Sequence, residues 1–506
     1  MTTVYLTTPI YYGNDRPHIG HAYTTIAVDT LARYHRLHGR DTRSLTGTDE
    51  HGINIQRIAA ERGRSPQAHV DAVAASFVDL WQRLDVVPDR FVRTTEPAHQ
   101  RAALALWERL RASGDLYRGV YEGSYCPRCE AYYQPDDLTG SDRACPIHHL
   151  PCEQVREENW FFRLSRYQDD LERLIRDTDF LLGSRRRNEV LGLIQQGLPD
   201  FSASRRHVQW GIPVPGSPGE VLYVWVDALV NYLTGCGFPD DQATFERYWP
   251  TAVHVVGKEI LRFHALYWPA LLLSARLPLP RRVVDHGWLT KDGHKISKST
   301  GNTIDPRELI ETYGSDAVRY YFVRHFVFGS DGDFTRASFE ARYTAELAND
   351  FGNLVQRATS LLSRHPHIPA ARGVPLGPAE RELCEAAAAL GEQVEAAFDA
   401  FALHEAAAAI GAFVRATNRY VDATAPWELA KQGETARLRL VLDQLGEATR
   451  LAAWYYAPII PRAAGAAHQR LAGAPPGPGG GVFAPVAGRP SVVGPPLFPR
   501  LARPFC

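Results

Sequence analysis

Methionine is nearly absent: Met1 is the only one among 506 residues. Leu, Ile and Val fill comparable core volume at small cost, so the shortage excludes no fold class. Abundant Arg, Ala, Gly and Pro point to coding bias as its source. Lysine is scarce too, with only five (Lys258, Lys291, Lys295, Lys298 and Lys431) among 56 basic residues. No apolar run reaches the roughly 18 residues of a membrane span. Met1 to Ile10 lacks the charged start and long apolar stretch of a signal peptide, so a cytoplasmic protein is expected. Seven cysteines, three of them packed between 126 and 145, are an odd and clustered set. That pattern excludes a disulfide frame and fits metal ligands in a reducing compartment. A net charge of −1 excludes a global basic footprint, so any nucleic-acid surface is local.

What is present is the composition of a globular protein, 45% hydrophobic and 22% charged, long enough for three or four modules. Three of the five lysines fall in one stretch, Thr290-Lys-Asp-Gly-His-Lys-Ile-Ser-Lys-Ser-Thr-Gly-Asn302. An ammonium is a compact charge on a flexible stem and suits a loop that follows moving phosphate charge better than a planar guanidinium does. Near the start, Pro17-His-Ile-Gly-His21 follows an apolar strand-like run. His18 and His21 on a turn that opens a helix offer imidazole donors and free helix amides to an anion, and Gly20 lets a flat base approach the backbone. Alone, such a string reads as a surface turn. Paired with Lys295-Ile-Ser-Lys-Ser299, it resembles the signature pair of the class I aminoacyl-tRNA synthetases.

The pattern of elements divides the chain. Val4 to Leu6 reads as a strand, Ala22 to His35 as a helix, and Thr42 to Thr46 as a second strand, with helices on to about residue 113. This predicts an α/β fold, a doubly wound, Rossmann-like parallel sheet whose first half is 1–114. Residues 115–222 break into short turns, cysteines and aromatics and read as an inserted domain. Strand-like alternation resumes at Val221 to Leu229, a buried strand follows at Ala252 to Gly257, a helix at Ile260 to Leu273 and a strand at Arg282 to Asp285. Residues 223–290 therefore form the second half, and 291–337 the lysine loop with a stem-contact region. Amphipathic helices such as Glu382 to Phe401 and Ala436 to Tyr456 predict an α-helical bundle over 338–472. The Pro/Gly-rich tail, 473–506, is a linker or an extended strap.

Cys126-Pro-Arg-Cys129 and Cys145-Pro-Ile-His148 are two ligand pairs spaced for one tetrahedral zinc. Four protein ligands leave no open position, so the metal is expected to be structural. His149 is adjacent and Cys152 is close, which leaves the fourth ligand open.

Longer stretches narrow the family. Thr7-Thr-Pro-Ile-Tyr-Tyr12, Thr46-Gly-Thr-Asp-Glu-His-Gly52, Arg187-Asn-Glu-Val190, Trp210-Gly-Ile-Pro-Val-Pro215, Tyr223-Val-Trp-Val-Asp-Ala228, Gly257-Lys-Glu-Ile260 and Phe263-His-Ala-Leu-Tyr-Trp-Pro269 resemble the methionyl-tRNA synthetase family. The resemblance is to the form with one zinc knuckle and no appended dimerisation domain, which implies a monomer. It implies an enzyme that activates L-methionine with magnesium ATP and transfers it to tRNA(Met). By that resemblance His18, His21, Lys295 and Lys298 are catalytic, and Gly20, Gly257, Glu259 and Lys298 bind ATP with the two histidines. Asp49 holds the methionine ammonium. Ile10, Tyr12, Trp225, Ala228, Tyr232, Ile260 and His264 line the side-chain pocket, an aromatic wall suited to sulfur; core packing is the competing reading for Trp225. Asn353, Arg357 and Trp427 match the residues that read the CAU anticodon, although Trp427 after Pro426 also fits a helix-start packing residue.

Two positions depart from the family pattern. Ile296 stands where the lysine signature has methionine, and Val226 replaces a phenylalanine beside the pocket. They leave room for a paralogue that makes an aminoacyl-adenylate for a non-translational pathway. Asn353, Arg357 and Trp427 speak against that alternative, because such a paralogue reads no anticodon. The shortage of methionine itself admits a second explanation, that a protein handling methionine avoids depending on it.

Overall fold

The computed structural model of the chain describes residues 2–126, 131–133, 138–140, 144–146, 150–295, 304–366, 368, 373–486 and 491–501, with 131–133 and 295 described in backbone only. Its centre is a parallel sheet in the order Arg282–His286, Ala252–Gly257, Thr3–Thr7, Asp41–Asp49, Tyr11–Tyr12, with Arg90–Arg93 also paired to Asp41–Asp49. Ala252–Gly257 is buried at every position, as expected of a parallel strand covered on both faces. Gly47 lies where a Cβ would meet the Val92 carbonyl at 2.0 Å, so only glycine lets these two strands pair.

The long helix Ile19–Leu37 connects the first strand to Asp41–Asp49. It starts earlier than its apolar spacing predicts because His18 caps it.

Four expectations need correction. Val221 to Leu229 does not continue as a strand: only Val221–Leu222 pairs, with Ser204–Arg205, and Val224–Leu229 is a helix. The strand preference of Val and Trp is overridden because the Asp227 amide closes a turn on the Tyr223 carbonyl at 3.0 Å while its carboxylate is held by tertiary partners. Ile260 to Leu273 is not one regular helix. A 3₁₀ turn at Lys258–Ile260 leads to a π-helical turn at Phe263–Tyr267 and then to the α-helix Trp268–Ser274. The edge strand Arg90–Arg93 was hidden behind the Pro88-Asp89 turn. The insertion is more regular than its turns suggest, since Leu116–Cys126 and Glu153–Phe162 form a long antiparallel pair.

The carboxyl half is helical as expected, including Pro378–Asp399, Leu403–Thr424, Thr435–Tyr456 and Pro461–Ala472. The described tail is a strap. The Trp454 indole donates to the Gly477 carbonyl at 2.8 Å, Arg450 donates to Gly480 and Val482, and Phe498 is buried. Arg319, fully buried, joins the halves: it pairs with Asp29 of the Ile19–Leu37 helix at 2.7 Å and donates to the carbonyls of Leu84, Pro458 and Ile459. Among the described residues no helix is long and apolar enough to cross a membrane.

Candidate active site

Because the strands are parallel, Thr7, Asp49, Gly257 and His286 end at one edge of the sheet, where ligands of such folds bind. The two signatures hang from that edge. His18 and His21 follow the first strand, and the hairpin Leu289–Lys291/His294–Lys295 follows Arg282–His286. A direct bond ties them: Thr24, one turn after Gly20, meets His286 Nε2 at 2.7 Å. Because the other ring nitrogen of His286 faces the Gly287 carbonyl at 2.9 Å, Nε2 is the acceptor. Lys298 and Ile296 lie outside the described residues, and Lys295 is described in backbone only, paired with Thr290.

The His18 backbone amide donates to His21 Nδ1 at 3.1 Å, and the Gly20 amide donates to His18 Nδ1 at 3.1 Å. Both Nδ1 atoms therefore accept, which puts the proton of each neutral ring on Nε2. The rings stack with centroids 3.9 Å apart, and His21 is held on its far side by Tyr11 at 4.8 Å and Phe77 at 5.3 Å. Each neutral ring thus carries its proton on the nitrogen opposite the helix amides, the form that can donate to an anion.

The residues expected to line the side-chain pocket come from three segments. Ile10 and Tyr12 come from the loop after the first strand, and Tyr12 pairs with Asp49 across the sheet. Trp225 and Ala228 lie on Val224–Leu229 and Tyr232 on Asn231–Gly235. Ile260 and His264 come from the 3₁₀ and π-helical turns, and π turns recur at binding sites. His264 Nδ1 donates to the Ile260 carbonyl at 2.9 Å, so Nε2 accepts from the Tyr232 hydroxyl at 2.6 Å. Burial holds His264 down at about 4 and keeps it neutral. Below the pocket, buried His254 stacks on Tyr232 at 3.9 Å. Trp225 lies flat on Phe263 at 3.7 Å and is half-buried, packed against the core of the catalytic sheet. At the end of the strand Ala252–Gly257, a Cβ on Gly257 would come within 2.5 Å of the Glu259 carboxylate, the flexible end of a side chain that accepts from the Trp288 indole at 3.1 Å.

Comparison with known proteins agrees with this geometry. The family model for class I (M) tRNA synthetases matches residues 4–155 and 141–359, and that for the anticodon binding domain of methionyl tRNA ligase matches 368–475. A methionine–tRNA ligase of Nostoc sp. is 45% identical over 93% of this chain and 90% of its own length. The chain belongs to the methionyl-tRNA synthetase family. A relative from Synechocystis sp. is 44% identical over 93% of this chain and 89% of its own. The Mycobacterium tuberculosis methionyl-tRNA synthetase in complex with methionyl-adenylate superposes with a TM-score of 0.94 at 39% identity, covering 99% of this chain and 100% of that one. The free form of that synthetase gives 0.88 at 36% identity, covering 100% and 99%.

In the helical half of this methionyl-tRNA synthetase family member, Asn353 and Arg357 share one face of Asn353–Arg364, immediately after a π-helical segment, Tyr343–Gly352. Arg357 pairs with Asp422 at 2.6 Å, and five residues further on Trp427 opens the helix Pro426–Gln432 with its side chain 40% exposed. Pro426, not Trp427, is the buried packing residue there.

Of the expected zinc ligands, Cys126 and Cys145 are described and buried, while Cys129 and His148 lie outside the described residues. The ladder of the insertion runs to Tyr125↔Glu153, so Cys152 comes alongside Cys126. Burial and the neighbouring Cys126 and Cys145 push the Cys152 thiol up to about 11. Among the described residues alone no group of three is arranged to hold a metal ion. A thiol set gathered at one end of a hairpin nevertheless has the chemistry that zinc takes.

Sequence reasoning missed the network behind Asp49. Asp227 accepts from His51 Nδ1 at 2.6 Å and His99 Nε2 at 2.7 Å. Burial alone would raise its carboxyl, but the two imidazoles hold it down at about 2. Glu50 accepts from Thr48 and from Arg93, each at 2.6 Å. The signal was the run Thr46 to Gly52, in which Asp49 is flanked by two further ionisable residues.

Proposed function

We propose how the residues divide the work of a methionine–tRNA ligase. The methionine carboxylate attacks the α-phosphorus of ATP and pyrophosphate leaves; the terminal adenosine hydroxyl of tRNA then attacks the adenylate carbonyl and AMP leaves. The attacking carboxylate is already ionised, so the first step needs no general base and rests on positioning and charge stabilisation. His18 and His21, with their protons on Nε2, stabilise the five-coordinate phosphorus, and Lys295 and Lys298 close on the departing pyrophosphate. Magnesium arrives with ATP as part of the substrate. Gly20 leaves room for the base, and Gly257 and Glu259 meet the ribose.

Asp49 pairs with the methionine ammonium. Tyr12, Trp225, Ala228, Ile260 and His264 enclose the side chain, and the Ile10 backbone and the Tyr232 hydroxyl meet the thioether. Tyr232 spends its proton on His264, so its oxygen lone pairs and ring face the polarizable sulfur. Asn353, Arg357 and Trp427 read the CAU anticodon of tRNA(Met) by hydrogen bonding and stacking on unstacked bases. A structural zinc is held by Cys126, Cys129, Cys145 and His148, with Cys152 beside them; when bound it supplies folding energy to the insertion and no chemistry at the active site. The protein works in the cytoplasm as a monomer.

The observation that supports this reading most is the Thr24–His286 bond, which sets the histidine helix against the strand leading into the lysine hairpin. Charging of a CAU-bearing transcript, with an anticodon variant as control, tests it. Charging of the first and loss of charging in the second is the expected result. Equal charging of both overturns the anticodon assignment, and adenylate formation without charging favours the paralogue.

A further inference from the structure

We propose that Asp227, with His51 and His99, is a buried positioning clamp that sets the walls of the methionine pocket; the proposal rests on the reading of Asp49 as the ammonium partner. The geometry is a closed chain. Asp227 is fully buried, and its two carboxylate oxygens are taken by two different rings, Oδ2 by His51 Nδ1 at 2.6 Å and Oδ1 by His99 Nε2 at 2.7 Å. The other nitrogen of His99 lies 3.1 Å from the Thr234 hydroxyl. All four side chains are buried.

The four members come from three stretches of the chain. His51 stands two residues after Asp49. Asp227 lies between Trp225 and Ala228 on their short helix, and Thr234 sits in Asn231–Gly235, the helix that carries Tyr232. His99 belongs to Pro97–Ala112, which takes no other part in the site. One carboxylate therefore fixes the distance between the loop bearing the ammonium partner and the helices bearing the side-chain wall.

The loop is held from the other side as well. Glu50 is fully buried, its amide donates to Thr94 Oγ1 at 2.9 Å, and its carbonyl accepts from the Trp210 indole at 2.6 Å. The Gly52 amide then donates to the Trp210 carbonyl at 3.0 Å, and Gly52 adopts φ 111°, a conformation open to glycine. Asp49 thus stands directly before an anchored stretch, Glu50 to Gly52.

A buried carboxylate with two imidazole partners is a poor device for stability, since well-packed apolar residues of the same volume serve as well or better. Its two bonds instead supply direction, which packing lacks. Binding groups must be held to a fraction of an ångström by partners behind them. The clamp accordingly acts on methionine and leaves the nucleotide side alone, because its members lie on other segments than Gly257, Glu259 and the His18–His21 pair.

Pyrophosphate exchange by the full chain tests this, with methionine and ATP titrated separately and melting temperature recorded beside them. For Asp227→Asn we expect the methionine KM to rise about tenfold or more, with the ATP KM within about twofold. His51→Asn, whose amide nitrogen can take the place of Nδ1, should recover most of the methionine affinity that His51→Leu loses. That pair carries the test by itself where Asp227→Asn does not fold. Methionine and ATP constants that rise together, or a methionine KM within about twofold of the parent beside a lowered melting temperature, would overturn the clamp and leave a structural role. Asp49→Asn separates the two claims. A raised methionine KM there, with normal kinetics in Asp227→Asn, removes the clamp alone. An unchanged one removes the ammonium assignment and the clamp with it.

Discussion

The Tyr232 hydroxyl donates to His264 Nε2 at 2.6 Å, and it has no choice of direction, because the proton of the imidazole is spent on the Ile260 carbonyl. The hydroxyl proton is thereby committed to His264, which leaves the phenol oxygen as an acceptor. Tyr232→Phe removes that oxygen and strands a buried ring nitrogen. A loss of about 1.4 kcal/mol, one hydrogen bond, corresponds to a rise of about tenfold in methionine KM in pyrophosphate exchange, with ATP KM unchanged. Discrimination against norleucine, which replaces the sulfur with a methylene, should fall in the same variant. Unaltered discrimination would assign the sulfur contact elsewhere.

The buried histidines set a pH dependence of stability. His264 and His35 are lowered to about 4 and His254 well below its usual value, in each case chiefly by burial. Their folded values lie below the unfolded 6.5, so the unfolded chain binds protons first, and stability is full above about pH 6.5 and is lost as pH falls toward 4. Asp316, raised to about 6 by burial, acts in the opposite sense and gains stability as pH falls from about 6 to 4. Among the described residues eight histidines are lowered against four carboxylates raised, which leaves a net loss. Urea midpoints between pH 7.5 and 4.5 should fall throughout, and His264→Gln should flatten the slope. A flat profile for the parent would contradict the burial of these rings as neutral groups.

How much was legible in the sequence follows from how local each feature is. His18, Gly20 and His21 lie on one turn, and Asp49 sits within one short run, so both read directly. The partners of Asp227 are 176 and 128 positions away, and nothing in the residues around it announces them. The helix Val224–Leu229 reads as a strand because Val-Trp-Val has strand preference, and only the tertiary hold on Asp227 decides otherwise. The π turn at Phe263–Tyr267 leaves no periodic trace over five residues, yet it places His264 under the pocket. The Pro/Gly tail could not be resolved between linker and strap from composition, since its anchors, Arg450 and Trp454, are on a helix already assigned to the core.

Arg319 is the joint between the catalytic and helical halves, and its removal should be costly. Arg319→Met leaves Asp29 with Arg33 and the Val87 amide, and three buried carbonyls without their Arg319 donor. Breaking one side of a buried pair costs about 3–5 kcal/mol. The double variant with Asp29→Leu should recover part of that loss in a double-mutant cycle of urea unfolding. Independent, additive effects would show that the pair carries no coupling.

Metal removal should act locally. Chelation of zinc is expected to lower amide protection in Leu116–Cys126 and Glu153–Phe162, the strands that lead into the thiol set, and to leave Thr3–Thr7 and Ala252–Gly257 protected. Hydrogen exchange read by mass spectrometry resolves the two regions. Because these ligands lie in the insertion, pyrophosphate exchange should fall less than charging. Uniform loss of protection across the chain would make the metal a global determinant of the fold.

Lys298→Ala addresses the chemistry directly. In the proposed division of work the lysine acts on charge that develops on the leaving pyrophosphate, and a group that interacts more strongly with the transition state than with bound substrate changes turnover rather than affinity. We expect pyrophosphate-exchange turnover to fall by about a hundredfold or more, the size of losing one transition-state donor, while methionine KM stays within about twofold. Arginine at 298 should recover little, because a planar fork cannot follow the migrating phosphate as a compact ammonium does. Turnover equal to the parent in Lys298→Ala would place pyrophosphate stabilisation on the histidine side, with the Nε2 protons of His18 and His21 acting alone.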